Sequence, residues 1–273
     1  MGNYRELYDL SGRVAVVTGG AGILGSATAA AFADHGANVA VVDLDGDRAS
    51  EVAESLNTMH GILAVGLACD VADPGSIKDM VARVESDLGP ISVLHNNAAT
   101  KGSDLEKMFA PVEDYKLETW REIMAVNLDG LFLVSQQVGG LMAERGKGSI
   151  IHTASIYGAT MGPDQRIYEG SEYLGRSINT PPVYSASKGG VVGLTLYLAT
   201  YWASRGVRVN AITPGGIASG QNDEFARRYS ARVPLGRMAR VEEVAAGVIF
   251  LASDASSYVT GQNLHVDGGL SAW

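Results

Sequence analysis

The chain has 273 residues, room for one large α/β domain or two small ones and for a sizeable core without metal or disulfide staples. A formal net charge of −9, with no dense Lys/Arg tract, argues against a nucleic-acid partner. One cysteine, Cys69, rules out an intrachain disulfide and fits a reducing compartment, and the five histidines stand singly, so no metal is expected. Residues 1–6 lack the apolar core of a signal peptide, and the most apolar stretch, 191–203, falls short of the roughly 20 residues of a membrane span. A cytoplasmic protein with no membrane partner is the expectation.

In chain order, Val-Ala-Val-Val at 14–17 predicts a strand buried on both faces, running into Thr18-Gly19-Gly20-Ala21-Gly22-Ile23-Leu24-Gly25. A helix is predicted over 26–34, closed by His35-Gly36, and a second buried strand over 38–43 ends in Asp43. This βαβ unit has the form of a dinucleotide site. Glycines let the backbone around Gly19, Gly22, Ile23 and Leu24 approach a pyrophosphate, and the helix N-terminus stabilises its charge. Asp43 either caps a turn with Asp45 and Asp47 or accepts from a ribose diol, and its place at the end of a second strand favours the ribose. A 2′-phosphate would be repelled there. With Leu44 following and no Lys or Arg in the glycine loop, the expected cofactor is NAD rather than NADP.

A third strand over 63–69 ends at Asp70-Val71, where Asp70 either starts a turn or contacts adenine. Asp73-Pro74 begins a helix that Gly89 ends, and a fourth strand over 91–95 delivers Asn96-Asn97-Ala98-Ala99 to the same edge. After a polar connection over 100–116, one helix is predicted from about 119 to 145; it contains Asn127, a polar core residue or a site residue. A fifth strand over 149–153, within which His152 is expected to pack, ends at Ser155. Tyr184-Ser185-Ala186-Ser187-Lys188 then sets a phenol and an ammonium four residues apart, on one face of a helix that Pro181-Pro182 begins. A neighbouring cation and the helix dipole both favour phenolate, so the Tyr184 pKa is expected to fall toward neutrality. Two further strands, over 208–213 before Pro214-Gly215-Gly216 and over 262–266, flank a helix over 241–252.

The alternation predicts α/β architecture: a single Rossmann-type, doubly wound parallel sheet of about seven strands with helices on both faces, one NAD(P)-binding domain over 1–273. Every unusual residue falls at a strand carboxyl end, where such sheets bind ligands. The helices over 127–142 and 191–202 are too apolar to face water, so they belong to the core or pair between subunits.

The set of Thr18-Gly19 through Gly25, Asp70-Val71, Asn96-Asn97-Ala98, Asn127, Ser155, Tyr184 with Lys188, and Pro214-Gly215 resembles the short-chain dehydrogenase/reductase family over residues 12–269. The resemblance implies an NAD(P)-dependent oxidoreductase with Tyr184 as general acid/base and Ser155 hydrogen-bonded to the reacting oxygen. It implies that Lys188 binds the nicotinamide ribose and lowers the tyrosine pKa, that Asn127 holds a proton-relaying water, and that the chain forms a homotetramer or homodimer. Asp70, Val71, Asn97, Pro214, Ile217 and Ser219 join the cofactor set. The chain departs from the family where Gly22-Ile23 replaces a closing Gly-x-Gly, where Ala99 replaces a common glycine, and where Ser219 replaces a threonine.

Ser155 and Tyr184 stand 29 positions apart, far longer than the usual spacing in this family. The insertion, at about 158–182, carries Gln165, Arg166, Tyr168, Glu169, Tyr173, Arg176 and Asn179, and a lid is expected at about 216–233. With Tyr157 nearby, this mixture suits hydroxyls, carboxylates or phosphates and predicts a polar small-molecule substrate, sugar-like, oxidised at a secondary alcohol or reduced at a ketone. The alternative for the insertion is a solvated loop or subunit contact. Ser155-Ile156-Tyr157-Gly158, the 166–170 run and Pro214-Gly215-Gly216 also resemble the branch linked to flagellin modification and nonulosonic-acid sugar metabolism. Two other functions remain open: a 3-oxoacyl-reductase-like carbonyl reductase of acyl or xenobiotic ketones, and a non-catalytic NAD-sensing binding protein, which would have no need of all four reactive residues.

Overall fold

The computed structural model describes residues 3–173 and 175–273; Leu174 and the side chains of Tyr173 and Arg176, two of the insertion candidates, lie outside the described residues. The first half consists of β1 (Val14–Thr18), α1 (Ile23–Asp34), β2 (Asn38–Asp43), α2 (Gly46–His60), β3 (Ala64–Ala68), α3 (Pro74–Asp87) and β4 (Ile91–Asn96). Then come α4 (Leu105–Met108), α5 (Leu117–Met124), α6 (Leu131–Arg145), β5 (Gly148–Thr153) and the single turn α7 (Ile156–Ala159). A short antiparallel hairpin, β6 (Glu172–Tyr173) and β7 (Arg176–Ser177), precedes α8 (Pro182–Trp202). The chain closes with β8 (Val207–Pro214), α9 (Asp223–Ser230), α10 (Val241–Ala252) and β9 (Asn263–Val266).

Seven strands form one parallel sheet in the order β3-β2-β1-β4-β5-β8-β9. The order reverses between β1 and β4, and that is where a doubly wound sheet opens a crevice at its carboxyl edge. Both faces are covered, so strand side chains alternate between two apolar layers. Val14 and Val16 pack with Ile77 and Val84 of α3, Val138 of α6 and Trp202 of α8. Ala15 and Val17 pack on the other side with Phe32 of α1, Leu56 of α2 and Val248 of α10. α8 buries Val191, Thr195, Leu198 and Trp202 while leaving Leu196, Tyr197 and Tyr201 52, 62 and 55% exposed. Its apolar composition therefore serves the core on one face and reaches water on the other. Among the described residues no helix is long and apolar enough to cross a membrane.

Three elements differ from the sequence reading. The helix expected over 119–145 is interrupted by one π turn, Ala125–Gly130, between α5 and α6. A π turn adds a residue to the turn, and here it places Asn127 fully inside; neither glycine nor proline marks its start. α1 begins at Ile23 rather than at residue 26, because Gly22 is the extended N-cap (φ −77°, ψ 172°). Gly25 then lies in the first turn, where a Cβ would collide with the carbonyl of Gly19. The polar connection 100–116 holds α4, whose N-cap Asp104 accepts from the amides of Glu106 and Lys107 at 2.9 and 3.3 Å.

Two fully buried histidines cross the middle of the sheet, His95 on β4 and His152 on β5. Thr153 gives its hydroxyl proton to Asn97 Oδ1 at 3.1 Å, so it accepts from His95 Nε2 at 2.9 Å. His152 is held between Ser135 and Thr195 hydroxyls at 2.9 and 2.8 Å, so it does more than fill space in its strand. Burial, helped by the Lys188 ammonium, pushes both imidazoles down to about 3. The native chain keeps them neutral where the unfolded chain takes up protons, so their contribution is intact above about pH 6.5 and declines as the pH falls toward 3. Urea unfolding between pH 6.5 and 5 is expected to show a slope approaching ~1.4 kcal/mol per pH unit for each histidine. A His95→Asn/His152→Asn double variant flattens that slope; an unchanged slope contradicts the assignment.

Candidate active site

The crevice between β1 and β4 is a groove of about 430 Å³. Its floor is the glycine loop: Gly19 has φ +62°, and a Cβ there would lie 2.9 Å from Ala98 Cα, so only glycine lets β1 and β4 approach this closely. Gly22, Ile23 and Leu24 line the groove at the N-terminus of α1. Thr18 clamps the loop from below, donating to Asn96 Oδ1 at 3.1 Å and accepting from the amides of Asn97 and Ala98 at 2.9 and 3.1 Å. Asn97 returns a hydrogen bond from Nδ2 to Thr18 O at 3.2 Å.

At the far end of the groove, Asp43 accepts from the Ala21 amide at 3.0 Å through Oδ2 and from Asp45 N at 3.3 Å through Oδ1. The turn-capping and wall roles of Asp43 therefore coexist. Asp70 likewise caps its own turn, accepting from Ala72 N at 2.8 Å, and with Val71 lines the groove. Sequence reasoning missed Arg48, whose Nη2 donates to Ala21 O at 2.9 Å beside Asp43. Its position one turn into α2 carries no motif, and only the fold brings it back to the glycine loop. The shape and donors fit a dinucleotide: a glycine floor that any Cβ would obstruct, free amides at a helix start, and a carboxylate at the ribose end.

Ser155 and Tyr184 line a second cavity that shares Ala99 and Thr100 with the groove, while Lys188 and Asn127 are buried and line neither. Ser155 follows β5 and caps α7, accepting from Tyr157 N at 3.3 Å. Gly158 has φ +98°, and a Cβ there would run into Ser185 O, so the turn bearing Ser155 lies directly against the start of α8 and Tyr184. The Ser155 hydroxyl lies near enough to the Tyr184 phenol to pull its pKa down. Lys188 is 3% exposed and donates from Nζ to Thr153 O at 2.7 Å. Asn127 accepts from Thr100 N at 2.8 Å through Oδ1, and its buried Nδ2 has no partner among the described residues. The pKa expectation for Tyr184 needs correction. In the chain alone, burial raises it and Ser155 is what pulls it down, while Lys188 is engaged by the Thr153 carbonyl and is itself lowered by burial to about 8.

The second cavity, about 450 Å³, is walled by Ser155, Tyr157 and Tyr184, by Tyr168, Asn179 and Thr180 of the insertion, and by Phe225 and Tyr229 of α9. The insertion is thus a pocket wall, but not through the charges the sequence reading relied on. Arg166 is 82% exposed and paired with Asp164 at 2.8 Å, and Glu169, 69% exposed, faces Arg228 at 3.6 Å. Gln165 spends its amide on the Thr180 backbone. Glu169 thus links the insertion to Arg228 of α9, while Arg166 and Gln165 bond within the insertion. Pro214, Ile217 and Ser219, expected at the cofactor, line neither cavity: Pro214 ends β8, Ile217 bridges to Ala239, and Ser219 is held by Gln221 through its amide and hydroxyl, both at 2.8 Å. Gly215, next in the chain, does reach the second cavity.

A family profile described as "Enoyl-(Acyl carrier protein) reductase" matches residues 19–271. A D-threitol dehydrogenase of Mycolicibacterium smegmatis is 37% identical over 270 residues, covering 96% of this chain and 94% of that one. A gluconate 5-dehydrogenase from Burkholderia cenocepacia, solved with NADP and tartrate, superposes with a TM-score of 0.85 at 30% identity, over 99% of this chain and 100% of that one. An NAD+-bound xylitol dehydrogenase superposes with a TM-score of 0.83 at 30% identity, over 95% and 99% of the two chains. Likeness of this extent, joined to a glycine-floored groove opening onto Ser155 and Tyr184, means that the chain belongs to the short-chain dehydrogenase/reductase family and is an NAD(P)-dependent oxidoreductase acting on alcohols.

Proposed function

We propose that this protein is an NAD-dependent dehydrogenase that oxidises a secondary alcohol of a neutral polyol. The observation that carries this reading is the second cavity. Beside Tyr184 and Ser155 it offers hydroxyl and amide groups, and among its described lining residues Lys101 is the one cationic side chain. Hydroxyls of the substrate find partners there without requiring a charge. The D-threitol and xylitol dehydrogenases among its relatives support a polyol.

In this reading NAD supplies the hydride acceptor when bound. Tyr184 takes the proton of the reacting hydroxyl, and Ser155 orients that oxygen by donating to it. Lys188, fixed by Thr153 O, would offer its remaining N–H groups to the nicotinamide ribose. Asn127 keeps both N–H donors of its Nδ2 for a water through which the proton leaves. In this reading Asp43 favours NAD by repelling a 2′-phosphate, whereas Arg48, which donates to the Ala21 carbonyl at the same rim, would favour NADP; the proposal assigns the ribose to the carboxylate.

A second reading, a reductase of apolar ketones, draws on Phe109, Ile178 and Phe225 in the cavity wall. Purified protein screened with NAD and NADP against D-threitol, xylitol, gluconate and apolar ketones separates the two. Reduction of NAD by the neutral polyols supports the proposal, and preference for NADPH with apolar ketones selects the alternative. Asp43→Ser is expected to shift the kcat/KM ratio toward NADP by about tenfold or more, the equivalent of ~1.4 kcal/mol; an unchanged ratio removes Asp43 from cofactor choice. Tyr184→Phe is expected to lower kcat by roughly 10²- to 10⁴-fold with NAD affinity unchanged. Retained turnover would point instead to another proton acceptor.

A further inference from the structure

The insertion places two hydroxyls in the second cavity, and nothing in the reaction as described uses them. Tyr168 Oη and Thr180 Oγ1 lie 2.7 Å apart, and both residues line the cavity wall. Two hydroxyls carry two protons and their mutual bond consumes one. The pair therefore retains one donor and free lone pairs for a ligand. Ser155 and Tyr184 line the same cavity, and Tyr184 and Tyr168 pack against the same apolar cluster, so the pair and the reacting position share one cavity.

The pair is held rigidly. Gln165 clamps the Thr180 backbone from both sides, donating from Nε2 to Thr180 O at 3.0 Å and accepting from Thr180 N at 3.1 Å. Asn179, next in the chain, donates to Phe109 O at 2.8 Å across the cavity mouth. Thr180 is 7% exposed. The Tyr168 ring packs against Phe225 at 5.4 Å, and Phe225 against Tyr229 at 5.9 Å, which ties the phenol to the lid helix α9. The insertion charges Arg166, with Asp164, and Glu169, with Arg228 of α9, lie in ion pairs rather than in the cavity wall. A surface loop would not need four hydrogen bonds to aim two neutral hydroxyls at a cavity.

We infer that Tyr168 and Thr180 form a subsite for a second hydroxyl of the substrate, which makes the enzyme selective for neutral polyols over monohydric alcohols. This inference rests on the polyol reading above and deepens it. A site built to hydrogen-bond a substrate hydroxyl leaves its own polar groups unpaired when that hydroxyl is missing, and discrimination follows from that penalty.

The test compares kcat/KM for D-threitol and for 2-butanol, which has the same number of carbons and a single hydroxyl, in the wild-type chain, Thr180→Val, Thr180→Ser and Tyr168→Phe, with NAD affinity as the check on folding. Thr180→Val is expected to lose about 10- to 100-fold on D-threitol while 2-butanol changes by no more than about twofold, and Thr180→Ser restores most of the loss. Tyr168→Phe gives the same pattern and serves if Thr180→Val does not fold. The subsite is overturned if wild-type enzyme prefers D-threitol and that preference survives in Thr180→Val, or if both substrates lose activity equally. Absence of any wild-type preference for D-threitol overturns the polyol reading itself, and the subsite with it.

Discussion

The hydrogen bond from Lys188 Nζ to the Thr153 carbonyl joins the chemistry of this chain to its sheet. An ammonium removed from water is costly, and among the described residues no carboxylate pairs with it; burial lowers the group to about 8. The backbone carbonyl at the end of β5 is the acceptor that makes burial tolerable. The same residue turns its hydroxyl to Asn97 and His95, and Asn97 in turn holds Thr18 under the glycine loop. One threonine at the end of β5 therefore fixes the lysine, the floor of the groove and the neutral His95 in a common register.

That register explains why the site lies at a single edge. β1, β4 and β5 are neighbours in the sheet although α2, β3 and the helices α3 to α6 separate them in sequence. Ser155 and Tyr184 meet because Gly158, with a left-handed φ, lets the turn after β5 lie flat against α8. Local chain chemistry thus brings distant residues within hydrogen-bond reach, and the parallel sheet sets their spacing.

Much of this was legible beforehand. Strand ends, the glycine loop, Asp43 and the Tyr184/Lys188 pair announce themselves because their residue types have few other reasons to occur at that spacing. Details set by tertiary contact were not legible. The π turn around Asn127 has no sequence marker. Arg48 is an ordinary helix residue until α2 packs beside the loop, and the depressing effect of Lys188 on Tyr184 was assumed from spacing although a backbone carbonyl holds the ammonium. The charges of the insertion misled for a related reason. Polar side chains in a loop announce that they need partners, and Asp164 and the lid arginines supply those partners outside the cavity, leaving the neutral Tyr168 and Thr180 to face inward.

The account stands on a shared position for cofactor and alcohol between Lys188 and Ser155, and the most direct measurement is a crystal structure of the chain with NADH and D-threitol, a pair that does not react. The account predicts the ribose within hydrogen-bond distance of Lys188 while Thr153 O still holds its Nζ, with one threitol hydroxyl between Ser155 and Tyr184. Threitol seated elsewhere, or a lysine released from Thr153 with the ribose out of reach, would contradict it.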